Sequence, residues 1–277
     1  MVFFPNCKIN LGLDIIRRRP DGYHDIETIM IPVPWCDILE IVPAAPDAQA
    51  DTLTVTGNTI DCPPRHNLVM KAVAAVRRES DLPYVDIYLH KIIPDGAGLG
   101  GGSSDAAHTV IALDSLFELG MSDARKATIA ASIGSDCPFF IYNRPMLASG
   151  TGTELRPVDL SLGGMTLIIA KPENVAVSTA RAYAGVTPAI PEISLAKAIS
   201  APISEWTDII TNNFEKSVFE AAPEIRQTKT AMKRLGAAYT AMSGSGAAVF
   251  GLFNERISPE IMAQTFPGCI TFSCTMP

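Results

Sequence analysis

The sequence lacks any run of apolar residues near the about 18 that a membrane-crossing helix needs. It opens on no basic segment followed by an apolar stretch of the kind that marks a secretory leader. Its six cysteines include no Cys-x-x-Cys pair, which argues against a zinc site and leaves free thiols in a reducing cytoplasm as the expectation. Positive charge is in deficit. Lys and Arg number 22 against 29 Asp and Glu, a net charge of −7 that argues against general affinity for nucleic acid or anionic membrane surfaces. Internal repeats and low-complexity tracts are missing too. What remains is a chain of 277 residues, 47% hydrophobic and 18% charged, as a packed globular protein of one large or two modest domains would be. Anionic ligands, if any, must find their positive groups locally.

The densest signal runs from Pro94 to Ala107, where five glycines fall between Gly96 and Gly102. Before it, residues 85–91 alternate apolar and polar as a half-buried strand does; after it, Ala106, Val110, Leu113 and Phe117 recur at helical spacing. Strand, glycine-rich loop, helix is the context of a phosphate cradle, in which glycines admit a bulky anion and free helix N–H groups face it. Ser103, Ser104 and Asp105 offer N-cap chemistry for that helix. A flexible surface turn is the bland reading. No lysine follows the glycines, so the Gly-x-x-x-x-Gly-Lys-Ser/Thr pattern is excluded, and no acidic residue that ends a following strand about 20 residues on stands out, as a dinucleotide fold requires.

Elsewhere, residues 7–16 alternate, with Ile9, Leu11, Leu13 and Ile15 on one face and Lys8, Asn10, Gly12 and Asp14 on the other. The polar face suits either the floor of a polar cleft or a solvated edge strand. Pro20-Asp21-Gly22 is a turn signal that fixes Tyr23 and His24 after the run Arg17–Arg19, which by itself reads as solvated charge. Short strands are expected over 38–42 and 53–56, and a helix over 68–78 capped by Asn67. A helix over 123–133 should end in Gly134-Ser135-Asp136-Cys137-Pro138, before a strand over 139–142. There Asp136 either bonds its own turn or does chemistry. Gly150 to Gly152 marks a hairpin, a strand starts at 165, and helices open at 179 and at Pro223. A second Gly/Ser loop, 243–246, leads into a strand, and a plain tight turn is its bland reading.

The string Pro94-x-x-x-Gly98-Leu99-Gly100-Gly101-Gly102-Ser103-Ser104-x-Ala106-Ala107 resembles the ATP-binding motif of the GHMP kinase superfamily. Lys8 to Leu11, Arg19 to His24 and the segment around Asp136 resemble further signatures of one branch, which phosphorylates an alcohol linked to cytidine diphosphate. The resemblance implies an α+β GHMP kinase fold of two α/β domains. One, over 1–160, is ATP-binding and similar to domain 2 of ribosomal protein S5; the other, over 161–277, is ferredoxin-like, with the active site in the cleft between them. It implies ATP as phosphoryl donor, held by Pro94, Gly96, Gly98, Leu99, Gly100, Gly101, Gly102, Ser103 and Ser104, with Asn67 and Lys91 bordering adenine. Lys8 and Asp136 would be catalytic. Asn10, Tyr23, His24, Thr179 and Tyr183 would hold the substrate, the two tyrosines sandwiching cytosine. Tyr183 stands where the branch often has Phe, and Asn213 where it has Asp. Mg²⁺ would bind mainly through the nucleotide, with Ser103 or Ser104 as protein contributor and no dedicated carboxylate pair. The expected partners are these small molecules, with no nucleic acid and no membrane, for a cytoplasmic monomer or weak homodimer. Two rival readings are another small-alcohol kinase (mevalonate- or homoserine-type), disfavoured by the Asp-Gly-Tyr-His turn, and a non-catalytic nucleotide sensor, which needs neither Lys8 nor Asp136.

Overall fold

The computed structural model describes residues 1–59 and 62–277. Along them, β1 (Val2–Phe3), β2 (Asn6–Arg18), β3 (His24–Cys36), β4 (Ile38–Pro43) and β5 (Thr52–Gly57) precede α1 (Leu68–Arg77), β6 (Val85–Lys91), α2 (Gly101–Leu116), α3 (Asp123–Ala131) and α4 (Cys137–Tyr142). Then come β7 (Met146–Ser149), β8 (Glu154–Pro157), β9 (Thr166–Pro172), α5 (Thr179–Ala184), α6 (Leu195–Ala198), α7 (Trp206–Ile209), α8 (Glu215–Ala221) and α9 (Pro223–Arg234). The chain closes with β10 (Tyr239–Met242), β11 (Val249–Phe253), α10 (Pro259–Thr265) and β12 (Cys269–Thr275). Contacts divide the chain into two compact units, and neither is one stretch of sequence.

The first unit comprises Met1–Lys8, Pro34–Asp95 and Gly100–Arg144. Its sheet has the order β1-β4-β6-β5, with β5 parallel to β6 and the other pairs antiparallel. Period 2 sorts β6 cleanly: Val85, Ile87 and Leu89 are buried, whereas Tyr88 is 47% exposed. Ile87 pairs with Ile41 and Leu89 with Leu39, which carries the same apolar face across the sheet. Each such side chain, once buried, contributes about 1.5–3 kcal/mol. Helix α1 starts at Asn67, whose side-chain oxygen accepts from the Val69 N–H at 2.9 Å.

The second unit comprises Ile9–Val33, Gly96–Leu99 and Pro145–Pro277. It holds two sheets, β2-β3-β7-β8 and β10-β11-β9-β12. Strand β9 is buried along its whole length between β11 and β12. Ile168, Ala170, Val249 and Phe253 pack there with Phe214, Val218, Ile225 and Met232 from the helices. β2 is an edge strand by topology, yet its edge is covered. Leu13 N–H donates to Thr211 O and Asn213 N–H to Leu13 O, both at 2.9 Å, and Ile15 N–H donates to the Asn213 side chain at 2.8 Å.

Two sequence expectations need correction. Residues 139–142 are not a strand; they are helix α4, which starts with Pro138 in its first turn and stops where Asn143 turns left-handed at φ 47°. A short apolar run is compatible with either state, and proline at a first turn favours the helix. Helix α2 begins earlier than Ser103 to Asp105 predict, with Gly100 as N-cap at φ 72°. The Ser104 N–H already donates to Gly100 O at 2.9 Å, so both serines lie inside the first turn and do not cap it.

Candidate active site

The glycine-rich segment is shaped by close approaches at both of its halves. Gly96, Gly98 and Gly100 sit at φ 59°, 73° and 72°, a region that L side chains avoid. In the second unit a Cβ on Gly98 would overlap the Ser243 carbonyl oxygen. Ser243 Oγ donates to Gly98 O at 2.9 Å, and Ala248 N–H donates to Ala97 O at 3.0 Å. The second Gly/Ser loop is thus the ledge that fixes residues 96–98, more than a tight turn. In the first unit a Cβ on Gly100 would meet Lys8 Cε at 3.1 Å and Phe140 at 3.0 Å. Gly102, one residue into α2, has only Leu68 at 3.8 Å before it. In α2 the N–H groups ahead of Ser104, whose own N–H already donates to Gly100 O, have no i−4 carbonyl within the helix, which equips them to hold an anion.

Lys8 is 3% exposed on the polar face of β2, and its Nζ lies 3.4 Å from Asp136 Oδ2. The Asp136 side chain keeps 33% of its surface open. It makes no capping bond to α4, so the reading in which it merely bonds its own turn fails. A part-open carboxylate beside a buried ammonium is able to accept a proton from a bound group and to balance the charge that remains. The neighbouring Cys137 is excluded as a nucleophile, because burial pushes its thiol up to about 12.

Lys91 is 5% exposed, its ammonium held by Asp37 and, at 2.7 Å, by Asp105 Oδ2. Asn67 is 9% exposed and occupied in capping α1. Burial dominates the Asp105 carboxyl and raises it, against the pull of the lysine. In α2, His108 Nδ1 donates to Ser104 O at 2.9 Å, and burial lowers its pKa, keeping the ring neutral.

In the second unit the polar face of β2 is dry: Asn10 is 2% and Asp14 6% exposed, which excludes the solvated-edge reading. Asn10 Nδ2 donates to Thr28 Oγ1 at 3.0 Å, and its N–H donates to Ser243 Oγ at 3.2 Å. The turn after Arg19 forms as expected, with the Tyr23 N–H donating to Asp21 at 3.0 Å. Arg17 and Arg19 are not simply solvated, since both pair with Asp25. Tyr183 stacks on His24, ring centroids 4.9 Å apart at 21°, and meets Phe214 edge-on. Tyr23 is 65% exposed, so the ring beside Tyr183 is His24 and not Tyr23. Thr179 lies 3.1 Å from Ser245, Oγ to Oγ.

Three polar residues were given no role by the sequence reading. Asn212 ties Met242 O and Gly244 O, each at 2.8 Å, and so shapes the Ser243 ledge. Asp14, beside Asn213 and Glu27, has its carboxyl raised to about 6 by burial and by the charge of Glu27. Asp37 is fully buried, and its one visible signal was an acid set between apolar strand residues. Among the described residues no three His, Cys, Asp or Glu side chains gather as a metal site requires. Nor is any described helix long and apolar enough to cross a membrane.

Family models match two parts of the chain: "GHMP kinases N terminal domain" over residues 67–144 and "GHMP kinases C terminal" over 195–266. The 4-diphosphocytidyl-2-C-methyl-D-erythritol kinase of Parabacteroides distasonis is 49% identical over 92% of this chain and 92% of its own. The Porphyromonas gingivalis protein of the same name is 42% identical over the whole of both. A crystal structure of 4-(cytidine 5'-diphospho)-2C-methyl-D-erythritol kinase superposes with a TM-score of 0.80 at 29% identity, covering 100% of this chain and 99% of that one. The Methanococcus jannaschii mevalonate kinase matches with a TM-score of 0.74 at 14% identity, covering 100% and 98%, a likeness of fold alone.

Proposed function

The chain belongs to the GHMP kinase family, and from that premise we propose that it transfers the γ-phosphoryl group of ATP to the 2-hydroxyl of 4-diphosphocytidyl-2-C-methyl-D-erythritol, a step of isoprenoid biosynthesis. The observation that carries the chemistry is the Lys8–Asp136 pair at 3.4 Å, with the aspartate free of its helix cap and part open. The substrate oxygen attacks the γ-phosphorus and its proton passes to Asp136. The bond from that phosphorus to the bridging oxygen breaks, and ADP leaves. Lys8 favours the alkoxide and the charge that grows on the phosphoryl oxygens. The segment from Gly96 to Ser104 takes the phosphates through backbone N–H groups, a role that permissive φ and the N-terminus of α2 support.

Mg²⁺ belongs to the same proposal. The first turn of α2 brings hydroxyls and, among the described residues, no carboxylate cluster; a hard cation would be held chiefly by phosphate oxygens, with the part-open Ser103 able to add a hydroxyl, whereas Ser104, the other expected contributor, is fully buried. When bound, it neutralises charge on the β- and γ-phosphates. Asn10, Tyr23, His24, Thr179 and Tyr183 are proposed to hold the sugar and cytosine ends, with Asn67 and the Lys91 backbone beside adenine. So are the division at 160/161, a cytoplasmic location and a monomer or weak homodimer. A phosphate-transfer assay with the cytidine compound, free methylerythritol and mevalonate tests the acceptor. Transfer to the first alone is expected; equal transfer to either of the others sinks the assignment.

A further inference from the structure

Residues Ile92 and Ile93 form the entry to the glycine-rich segment, and α2 is its exit. Asp37, on the corner between β3 and β4, is fully buried. Its Oδ1 accepts from the Ile92 N–H at 2.5 Å and the Ile93 N–H at 2.8 Å. Those are the last two residues before Pro94, which has no N–H to offer. Its Oδ2 pairs with the Lys91 ammonium, which also reaches Asp105 Oδ2, 14 residues further along the chain, at 2.7 Å. The same ammonium lies under the start of α2, where a Cβ on Gly101 would stand 3.4 Å from it. All of these groups belong to the first unit.

We propose that Asp37 is a positioning residue for phosphoryl transfer: through Lys91 it staples the entry of the phosphate loop to its exit and holds the first turn of α2 in register for the nucleotide. The inference rests on reading that loop as the ATP site. Fourteen residues with five glycines in their midst would otherwise sample many backbone states. One buried cation, gripped at both ends, removes that freedom before ligand arrives. Two carboxylates share this single ammonium, and Asp105 Oδ1 has no hydrogen-bond donor. Burial raises the Asp105 carboxyl against the pull of the lysine, which limits the negative charge the staple places beneath a polyphosphate.

The natural control is Asp51. It also accepts from a strand N–H, that of Val85 at 3.0 Å, and pairs with Arg77, but it serves the opposite end of β6. In Asp37→Asn the amide keeps an acceptor for the two N–H groups and presents donors to Lys91. Amide exchange over 92–104, read without nucleotide, should quicken at least about tenfold, since hydrogen bonds to charged groups are the strong ones. The dissociation constant for a non-hydrolysable ATP analogue should rise about tenfold, with the KM for the alcohol unmoved. Asp51→Asn should lower Tm and leave both loop exchange and analogue affinity alone. Unchanged exchange over 92–104 in folded Asp37→Asn overturns the staple, as does an equal loss of affinity in Asp51→Asn. Should Asp37→Asn not fold, fast exchange of the Ile92 and Ile93 amides in the unaltered chain overturns it instead. Exchange that responds as expected while the unaltered chain binds no analogue retires the ATP reading and leaves the staple standing.

Discussion

Two lysines of the first unit have been given opposite surroundings. Lys8 faces the Asp136 carboxylate at 3.4 Å, and that carboxylate is one-third exposed. Lys91 faces two, neither more than 3% exposed, and both grip it closely. A charge opposite a part-open carboxylate is free to respond when a hydroxyl and a phosphoryl group arrive. A charge held between dry carboxylates is shut off from solvent and ties together the segments that carry them. On the proposed reading this difference separates chemistry from positioning, and it follows from burial of the carboxylates, since both ammonium groups are themselves buried.

The strongest way to break this comparison is at Asp136. Asp136→Asn should lower turnover by on the order of 10² to 10⁴ while leaving Tm and substrate affinity near their starting values. Lys8→Ala should behave alike, and the double variant should cost far less than the product of the two, because the groups act as a unit. Steady-state kinetics with both substrates decide this; near-normal turnover in Asp136→Asn removes it from the mechanism. Lys91→Met should show the reverse profile. It strands buried carboxylates, so denaturant unfolding should register a loss of about 3–5 kcal/mol.

A buried carboxylate with no ammonium at all sharpens the comparison further. Asp14 is raised from 3.8 to about 6, so between those values the folded chain binds more protons than the unfolded one. Stability should therefore fall as pH rises from about 4 to about 6, by about 1–2 kcal/mol after allowance for solvent screening. Asp14→Asn should flatten that stretch of the pH profile; an unchanged slope in urea titrations refutes the assignment. Tyr183→Ala should raise the KM of the cytidine substrate by a stacking-sized loss of about 1 kcal/mol, and Tyr183→Phe should be nearly silent. Gly102→Ala is the smallest step. The site has room and helical backbone, so the chain should gain about 0.5–1 kcal/mol while ATP binds less well. A more stable variant with undiminished affinity would place the phosphates elsewhere.

Much of the site was legible because its chemistry is local in sequence. The strand over 85–91, the glycines and the helix behind them are contiguous, and so are the turn at Pro20 and the rings after it. Lys8 and Asp136 are far apart in sequence but sit in distinctive segments. The strand expected over 139–142 failed because Phe139, Phe140, Ile141 and Tyr142 fit a buried strand and a buried helix equally, and periodicity cannot arbitrate in so few residues. The pairing of Tyr183 with His24 was out of reach for another reason, since adjacent residues after a turn point to different sides.

By itself the sequence determined the order of elements around the phosphate loop, the left-handed positions that only glycine fills, and the residue types that phosphoryl transfer requires. Those are properties of neighbours along the chain, set by backbone sterics and hydrogen-bonding capacity. Only the tertiary structure decided which carboxylates stay open to solvent and which are sealed. Lys8 and Lys91 both stand on strands among apolar residues, and nothing local in the sequence says how open the carboxylate beside each will be. Their difference lies in desolvation by residues tens or hundreds of positions away, and burial is a property of the packed whole, which no local pattern encodes.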